Sequence, residues 1–166
     1  MEQEFVEMIN KHRGIIYKVC RLYGRDQYAI DDLFQDIVLQ LWKSFPSFRR
    51  DSLPSTWMYR VALNTAISQF RKEIRRPERS TLSNESFRIP DVPALPEGDP
   101  HAHTLQLAIE HLSRIEKALV MLYLEEKSYK EIAEIMGITS SNVGVKLNRI
   151  KSKLEQIIKR HNYELG

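Results

Sequence analysis

Apolar side chains recur with helical spacing along most of this chain, and strand-like alternation is not evident. The clearest stripe follows the spacing i, i+3, i+4, i+7, i+8, i+11 and i+12: Ile30, Leu33, Phe34, Ile37, Val38, Leu41 and Trp42. Asp26 stands where an N-cap is expected, and Gly24 where a C′ residue would end the preceding helix. The pattern predicts a helix over residues 27–44, with two further helices before it.

Prolines divide the chain into segments. Pro54 is placed to be the N1 residue of a third long helix, which the sequence predicts to end before Pro77. Five of the seven prolines lie in residues 77–103, where no apolar period is present. We predict that this segment is a flexible, acidic, proline-rich linker. The fold class that follows is all-α, with two small helical domains over residues 1–76 and 104–166.

The second domain carries the parts of a helix-turn-helix. Capping-box patterns, Ser-x-x-Glu at residues 113–116 and 128–131, each predict a helix start. Gly137 can adopt the left-handed conformation that ends a helix abruptly, and Thr139 is a candidate N-cap for the next helix. The final helix is predicted over residues 140–160, with an apolar inner face.

The outer face of this final helix is suited to duplex DNA. Arg binds guanine and Asn binds adenine through paired hydrogen bonds in the major groove, and lysines contact phosphates. Residues 141–160 hold six Lys/Arg and one Glu. The residues predicted to contact DNA are Ser141, Asn142, Val145, Lys146, Asn148, Arg149 and Lys153. A helical hairpin with a solvated basic face is the alternative.

Charge is segregated along the chain, although the net charge is only +3. Residues 1–76 carry 13 Lys/Arg against 9 Asp/Glu, residues 77–103 carry 2 against 5, and residues 104–166 carry 10 against 8. This distribution indicates an anionic partner for the two outer segments. The single cysteine, Cys20, excludes an intramolecular disulfide and favours a cytoplasmic location.

The first domain carries a family resemblance. The strings AIDDLFQDIVLQLWKSF and FRRDSLPSTWMYRVALNTAISQFRKEIRR resemble region 2 of the sigma-70 family, and the layout is similar to its extracytoplasmic-function (ECF) group. The resemblance implies a sigma factor that keeps region 2, a linker and region 4, and that directs core RNA polymerase to promoters. It implies contact with the clamp helices of the β′ subunit through Asp32, Gln35, Asp36 and Gln40, and contact of region 4 with the β flap.

The resemblance also implies that the first domain melts the −10 element and captures a base. Captured bases need an aromatic or apolar wall and polar groups for their edges. The residues that match are Phe48, Arg49, Ser52, Tyr59, Arg60, Val61, Asn64, Arg71 and Arg75. Trp57 is expected in the core instead.

Two features depart from the family pattern. The local sequence Ile67-Ser68-Gln69-Phe70 stands where family members often have an acidic residue before the basic run, and Gly144 stands where many have a basic one. The second departure shifts the expected base readout toward Val145, Asn148 and Arg149.

Two other functional classes compete with the sigma-factor interpretation. The alternative is a stand-alone helix-turn-helix regulator with an N-terminal dimerisation or ligand domain. An enzyme is disfavoured, because the sequence shows no phosphate-binding glycine loop, no nucleophile motif and no metal-ligand spacing around its histidines. We therefore expect no cofactor, no metal and no membrane insertion. The resemblance also implies an anti-sigma factor as a partner, which in many relatives is anchored in the membrane.

Overall fold

A computed structural model describes residues 1–48, 50–73 and 100–165, without the side chains of residues 70–73 and 163–165. All regular elements in these residues are helical, which confirms the predicted all-α fold class. They are α1 (Glu2–Lys11), α2 (Arg13–Tyr23), α3 (Gln27–Ser44), a 3-10 turn (Phe45–Ser47), α4 (Pro54–Glu73), α5 (Pro100–Glu110), α6 (Arg114–Leu124), α7 (Tyr129–Met136) and α8 (Ser140–Leu165). The chain divides into two compact units, Met1–Val92 and Pro93–Gly166.

In the first unit, α2, α3 and α4 pack against one another around a common core. The side chains that this core buries completely include Ile16, Val19, Cys20, Ile37, Leu41, Met58 and Ala62. Asp26 caps α3 as predicted, since its Oδ1 accepts a hydrogen bond of 2.8 Å from the Ala29 amide. The far end of the predicted stripe leaves this core, because Trp42 is 41% exposed and packs edge-on against Phe5 of α1.

Gly24 ends α2 for a different reason from the one that the sequence indicates. Its backbone is extended, with φ −82° and ψ 126°, and not left-handed. A Cβ built on Gly24 would lie 2.5 Å from Cγ1 of Ile30 and 2.9 Å from the carbonyl oxygen of Cys20. Glycine is therefore needed so that the end of α2 can approach the first turns of α3 closely.

The boundary of the predicted linker moves by a few residues. Helix α4 begins at Pro54 as predicted and is described as far as Glu73. The end of the predicted helix and most of the predicted linker, residues 74–99, lie outside the described residues. Helix α5 begins at Pro100, so residues 100–103 are helical and not part of a linker. Proline is well suited to a first helical position, where no intrahelical bond to its nitrogen is required.

In the second unit, serine caps define two helix starts as predicted. Ser113 and Glu116 form a complete capping box, with hydrogen bonds of 3.2 and 2.9 Å in the two directions. The hydroxyl of Ser128 accepts a hydrogen bond of 3.1 Å from the amide of Glu131 at the start of α7. The core between α5, α6, α7 and α8 includes Leu112, Leu119, Leu122, Ile132, Ile135, Val143, Leu147 and Ile150.

Candidate nucleic-acid interface

Helices α7 and α8 form the predicted helix-turn-helix. Gly137 adopts φ +70° and ends α7, and the amides of Gly137 and Ile138 both donate to the carbonyl of Ala133, at 2.9 and 3.2 Å. Two residues later, Thr139 Oγ1 accepts a hydrogen bond of 3.1 Å from the Asn142 amide and caps α8. The turn is thus fixed by backbone and cap hydrogen bonds on both sides.

Helix α8 buries one face and exposes the other. Val143, Leu147 and Ile150 are at most 2% exposed, and Leu154 continues the same face. Most residues predicted to contact DNA lie on exposed positions of the opposite face: Ser141, Asn142, Val145, Asn148 and Arg149. Lys146 is half-buried at the edge. The helix therefore presents polar side chains and one basic side chain on a surface that the fold does not cover.

Lys153 is engaged within the second unit. Its Nζ lies 2.9 Å from Oε1 of Glu116, the residue that completes the capping box of α6. Burial disfavours the charged form of Glu116, but the hydrogen bond from the Ser113 amide and the interactions with Lys153 outweigh it, so the pKa of Glu116 lies below its ordinary value. The structure thus places Lys153 in a tie between α8 and α6, whereas the sequence assigned it only to DNA.

Sequence reasoning missed Tyr129, which lies beside α8. A Cβ at Gly144 would lie 3.5 Å from Cε2 of Tyr129, so the tyrosine ring lies beside the helix where glycine leaves room. Tyr129 itself is 40% exposed. A glycine in the middle of a helix is the sequence signal that another group approaches there.

The predicted polymerase-binding residues lie on α3 beside α4. Gln69 of α4 is 7% exposed, and its Nε2 donates to Oδ2 of Asp36 at 2.6 Å and to Oδ2 of Asp32 at 3.2 Å. Gln35 and Gln40 are half-buried. The two carboxylates are therefore held by a buried amide and do not stand on a purely solvated face.

Sequence reasoning missed Gln69 as a functional candidate. It follows Tyr59, Ala62 and Ala66 at helical spacing on the buried side of α4. A polar residue on an apolar stripe needs a hydrogen-bond partner when it is buried, which is the signal that could have identified it.

An aromatic pair lies beside the loop between α3 and α4. Phe48 stacks on Trp57 with a centroid distance of 4.6 Å and an interplanar angle of 28°. Trp57 is 8% exposed, as expected for a core residue, while Phe48 is half-buried. Arg50 in the same loop has φ +57°, a conformation that non-glycine residues adopt uncommonly.

The remaining residues predicted for the −10 element separate into two environments on α4. Arg60 and Asn64 are exposed one turn apart, and Val61 is half-buried between them. Tyr59 is only 2% exposed, so its ring is a core element and not the open wall for a base that the sequence predicted. Its position between the buried residues of α4 accounts for the difference, since neighbouring helix positions point about 100° apart.

The other predicted residues of this site have fewer described features. Ser52 is half-buried in the loop before α4. The backbone of Arg71 belongs to α4. Arg49 and Arg75 lie outside the described residues.

Family models match both units. The Sigma-70 region 2 model matches residues 8–76, and the Sigma-70, region 4 model matches residues 102–154. The chain belongs to the sigma-70 family. This sigma factor has the region 2 and region 4 content of the ECF group, whose members direct RNA polymerase in transcription initiation, and it acts by binding and not by catalysis.

Individual relatives agree with this assignment. The ECF RNA polymerase sigma-E factor of Haemophilus influenzae is 29% identical over 160 residues, covering 90% of this chain and 82% of that protein. SigE of Mycolicibacterium smegmatis is 22% identical over 163 residues, covering 95% of this chain, and the chain spans 63% of that relative. The sigma factor RpoE from Bartonella quintana, solved with the anti-sigma factor NepR, shares the fold, with a TM-score of 0.67, 19% identity and coverage of 95% and 96% of the two chains.

The two regions of the sigma factor coincide with the two compact units. The region 2 match includes α2, α3 and α4, and the region 4 match includes α6, α7 and the first half of α8. Within the described residues, no group of three or more His, Cys, Asp or Glu side chains is placed to hold a metal ion. Among those same residues, no helix has the length and apolarity needed to cross a membrane.

Proposed function

We propose that the two units divide promoter recognition between them, with α8 reading the −35 element as duplex and the α3–α4 loop and α4 acting at the −10 element after the strands open. The observation that carries this proposal is the surface of α8. Its inner face is fully used by the core, while Ser141, Asn148 and Arg149 are exposed on the capped helix. Asparagine and arginine on a helix of this kind suit base edges in the major groove.

For the −10 element, the supporting features lie around the start of α4. Phe48 offers a half-buried ring already stacked on Trp57, which is a platform that a displaced base can extend. Asn64 and Arg60 lie exposed one turn apart, so that an amide for base edges stands beside a cation for phosphates. A melted strand presents phosphates and unpaired Watson–Crick base edges, whereas in duplex DNA those edges are paired and stacked inside the helix.

For polymerase binding, the supporting feature is the pair of carboxylates on α3. Asp32 and Asp36 are oriented by the Gln69 amide, which donates a hydrogen bond to one oxygen of each. Such an acidic, pre-oriented pair suits a basic helical surface of the β′ clamp. Region 4 is the element proposed to meet the β flap.

The proposed setting of the protein is the bacterial cytoplasm, with core RNA polymerase and promoter DNA as its partners. An anti-sigma factor is a further proposed partner, supported by the related fold of RpoE, which was solved with NepR. This chain is proposed to work without insertion into the membrane, so any membrane anchor would belong to the anti-sigma factor. It is also proposed to need neither a metal nor a cofactor.

The division of labour can be tested with two alanine variants in the holoenzyme. Arg149→Ala should weaken closed-complex formation by roughly 1–3 kcal/mol if the guanidinium binds a guanine in two hydrogen bonds. Asn64→Ala should leave the closed complex nearly intact and impair opening. Arg160→Ala and Ser68→Ala change exposed residues on the same two helices and serve as matched controls.

Filter binding and permanganate footprinting on a mapped promoter separate the two steps. If Arg149→Ala and Asn64→Ala failed at the same step, the proposed division would be wrong. If the free protein bound its promoter specifically without polymerase, the stand-alone regulator would be the better interpretation.

A further inference from the structure

An exposed apolar side chain occupies the middle of the polar recognition surface of α8. Val145 is 48% exposed, although the inner face of the same helix is almost completely buried. Ser141 stands one turn before it, and Asn148 and Arg149 stand one turn after it, so these residues share its face. Val145 is therefore not one of the buried core residues of α8, and the neighbours one turn away on its face are polar.

The residues around Val145 allow the helix to approach its target closely. Gly144 has no side chain, and Ser141 has a short one. The space beside Gly144 is bordered by the ring of Tyr129, 3.5 Å from where a Cβ would stand. A valine reaches only a short distance from its backbone, so it touches a base only where the backbone itself comes near, and the short side chain of Ser141 one turn earlier leaves room for such an approach.

The chemistry of the major groove identifies what an exposed valine can recognise. Among the base edges in that groove, thymine alone presents a methyl group, and apolar side chains read it by contact. We propose that Val145 is a specificity-determining residue of this sigma factor that packs against the 5-methyl group of a thymine in the −35 element. This inference rests on the proposed role of α8 in reading duplex DNA.

The test removes the methyl group from the DNA and its partner from the protein. A promoter is first obtained by mapping the start sites that the holoenzyme uses on genomic DNA. Each thymine of its −35 element, on either strand, is then replaced singly by deoxyuracil, which lacks only the methyl group. Binding of the holoenzyme is measured by competition against the unmodified promoter, for the wild type and for Val145→Ala.

At one thymine we expect the wild-type holoenzyme to lose affinity roughly three- to five-fold, the effect of one buried methyl group. The same replacement should cost Val145→Ala holoenzyme nothing further. The inference is overturned if no replacement weakens wild-type binding, or if every replacement that weakens it weakens binding of Val145→Ala holoenzyme equally.

Arg149→Ala separates this inference from the proposed function. If that variant loses closed-complex affinity while uracil replacement has no effect, α8 reads the −35 element but Val145 does not read a methyl group. If neither change has an effect, the proposed role of α8 is itself wrong, and the inference falls with it. Circular dichroism of Val145→Ala checks that the exposed substitution leaves the helical content unchanged.

Discussion

Replacing Asp36 with asparagine separates the charge of the proposed polymerase interface from its structure. Asp36 Oδ2 accepts a hydrogen bond of 2.6 Å from the buried amide of Gln69. An arginine at this position cannot accept that bond, so Asp36→Arg would disturb the packing of α4 against α3 as well as the surface. Asparagine keeps the shape and one acceptor oxygen, and it removes only the negative charge.

The contacts of Asp36 allow two costs of the substitution to be estimated, one in stability and one in affinity for polymerase. A hydrogen bond to a charged group contributes about 1.5–3 kcal/mol and a neutral one about 0.5–1.5 kcal/mol, so the loss of charge should cost roughly 1 kcal/mol of stability. Relief of the like-charge pair that Asp36 forms with Asp32, four residues earlier, offsets a few tenths of that, about 0.2–0.5 kcal/mol. Loss of a desolvated charge pair with polymerase costs about 2 kcal/mol or more, which is roughly a 30-fold rise in Kd.

The assay is equilibrium binding of labelled sigma factor to core polymerase, with urea unfolding of the same proteins. Asp31→Asn is the matched control, because it makes the same chemical change one residue earlier, where the side chain accepts a hydrogen bond of 2.9 Å from Gln27. We expect a large affinity loss for Asp36→Asn alone. Unchanged affinity, or an equal loss in Asp31→Asn, would refute the assignment of Asp36 to the interface.

Three further predictions concern the two folded units. Gly24→Ala should destabilise the protein by about 1–3 kcal/mol in urea unfolding, because its Cβ would meet the Cys20 carbonyl at 2.9 Å. Gly14→Ala, whose Cβ meets nothing within 4 Å, should instead gain up to about 1 kcal/mol, and equal effects would contradict the close-approach explanation. Glu116→Gln should lower the free energy of unfolding near neutral pH, and by progressively less as pH falls, because a carboxylate with a lowered pKa stabilises the fold only while it is ionised. If the free energies of unfolding of the two proteins differed by the same amount at every pH, the ion pair with Lys153 would be contradicted. Burial first, and the charge of Asp31 second, raise the pKa of the Cys20 thiol to about 12. Iodoacetamide should therefore label the native protein near pH 8 far more slowly than the urea-unfolded chain, and rapid native labelling would contradict the burial. The free energy of unfolding should also fall as pH rises above about 9, because only the unfolded thiol ionises there.

The sequence predicted local features of the fold well, because those features depend on residues a few positions apart. The cap at Asp26, the capping box at Ser113 and the left-handed Gly137 each satisfy backbone groups within one helical turn. The apolar stripe on α8 was predicted equally well, since burial of Val143 and Leu147 follows from helical periodicity alone.

Features that join distant segments could not be predicted from the sequence. The hydrogen bonds from Gln69 to Asp32 and Asp36 span 37 and 33 residues and depend on how α4 is rotated against α3. The ion pair of Lys153 with Glu116 also spans 37 residues. A charge pattern on one helix does not reveal whether a partner stands on another, so Asp32, Asp36 and Lys153 were assigned to ligands alone.

The two proposed interfaces therefore differ in whether their contact residues also hold the fold together. On α3, the carboxylate of Asp36 serves the packing of α4 through Gln69, so truncation to alanine would change fold and binding together. On α8, Asn148 and Arg149 are exposed on a helix whose inner face is already satisfied by the core, so truncation there removes contact chemistry with little change in packing. Substitutions that keep shape are required to test region 2, whereas alanine substitutions suffice on the outer face of region 4. Lys153 is the exception within region 4, because its removal would also leave the Glu116 carboxylate without its cation.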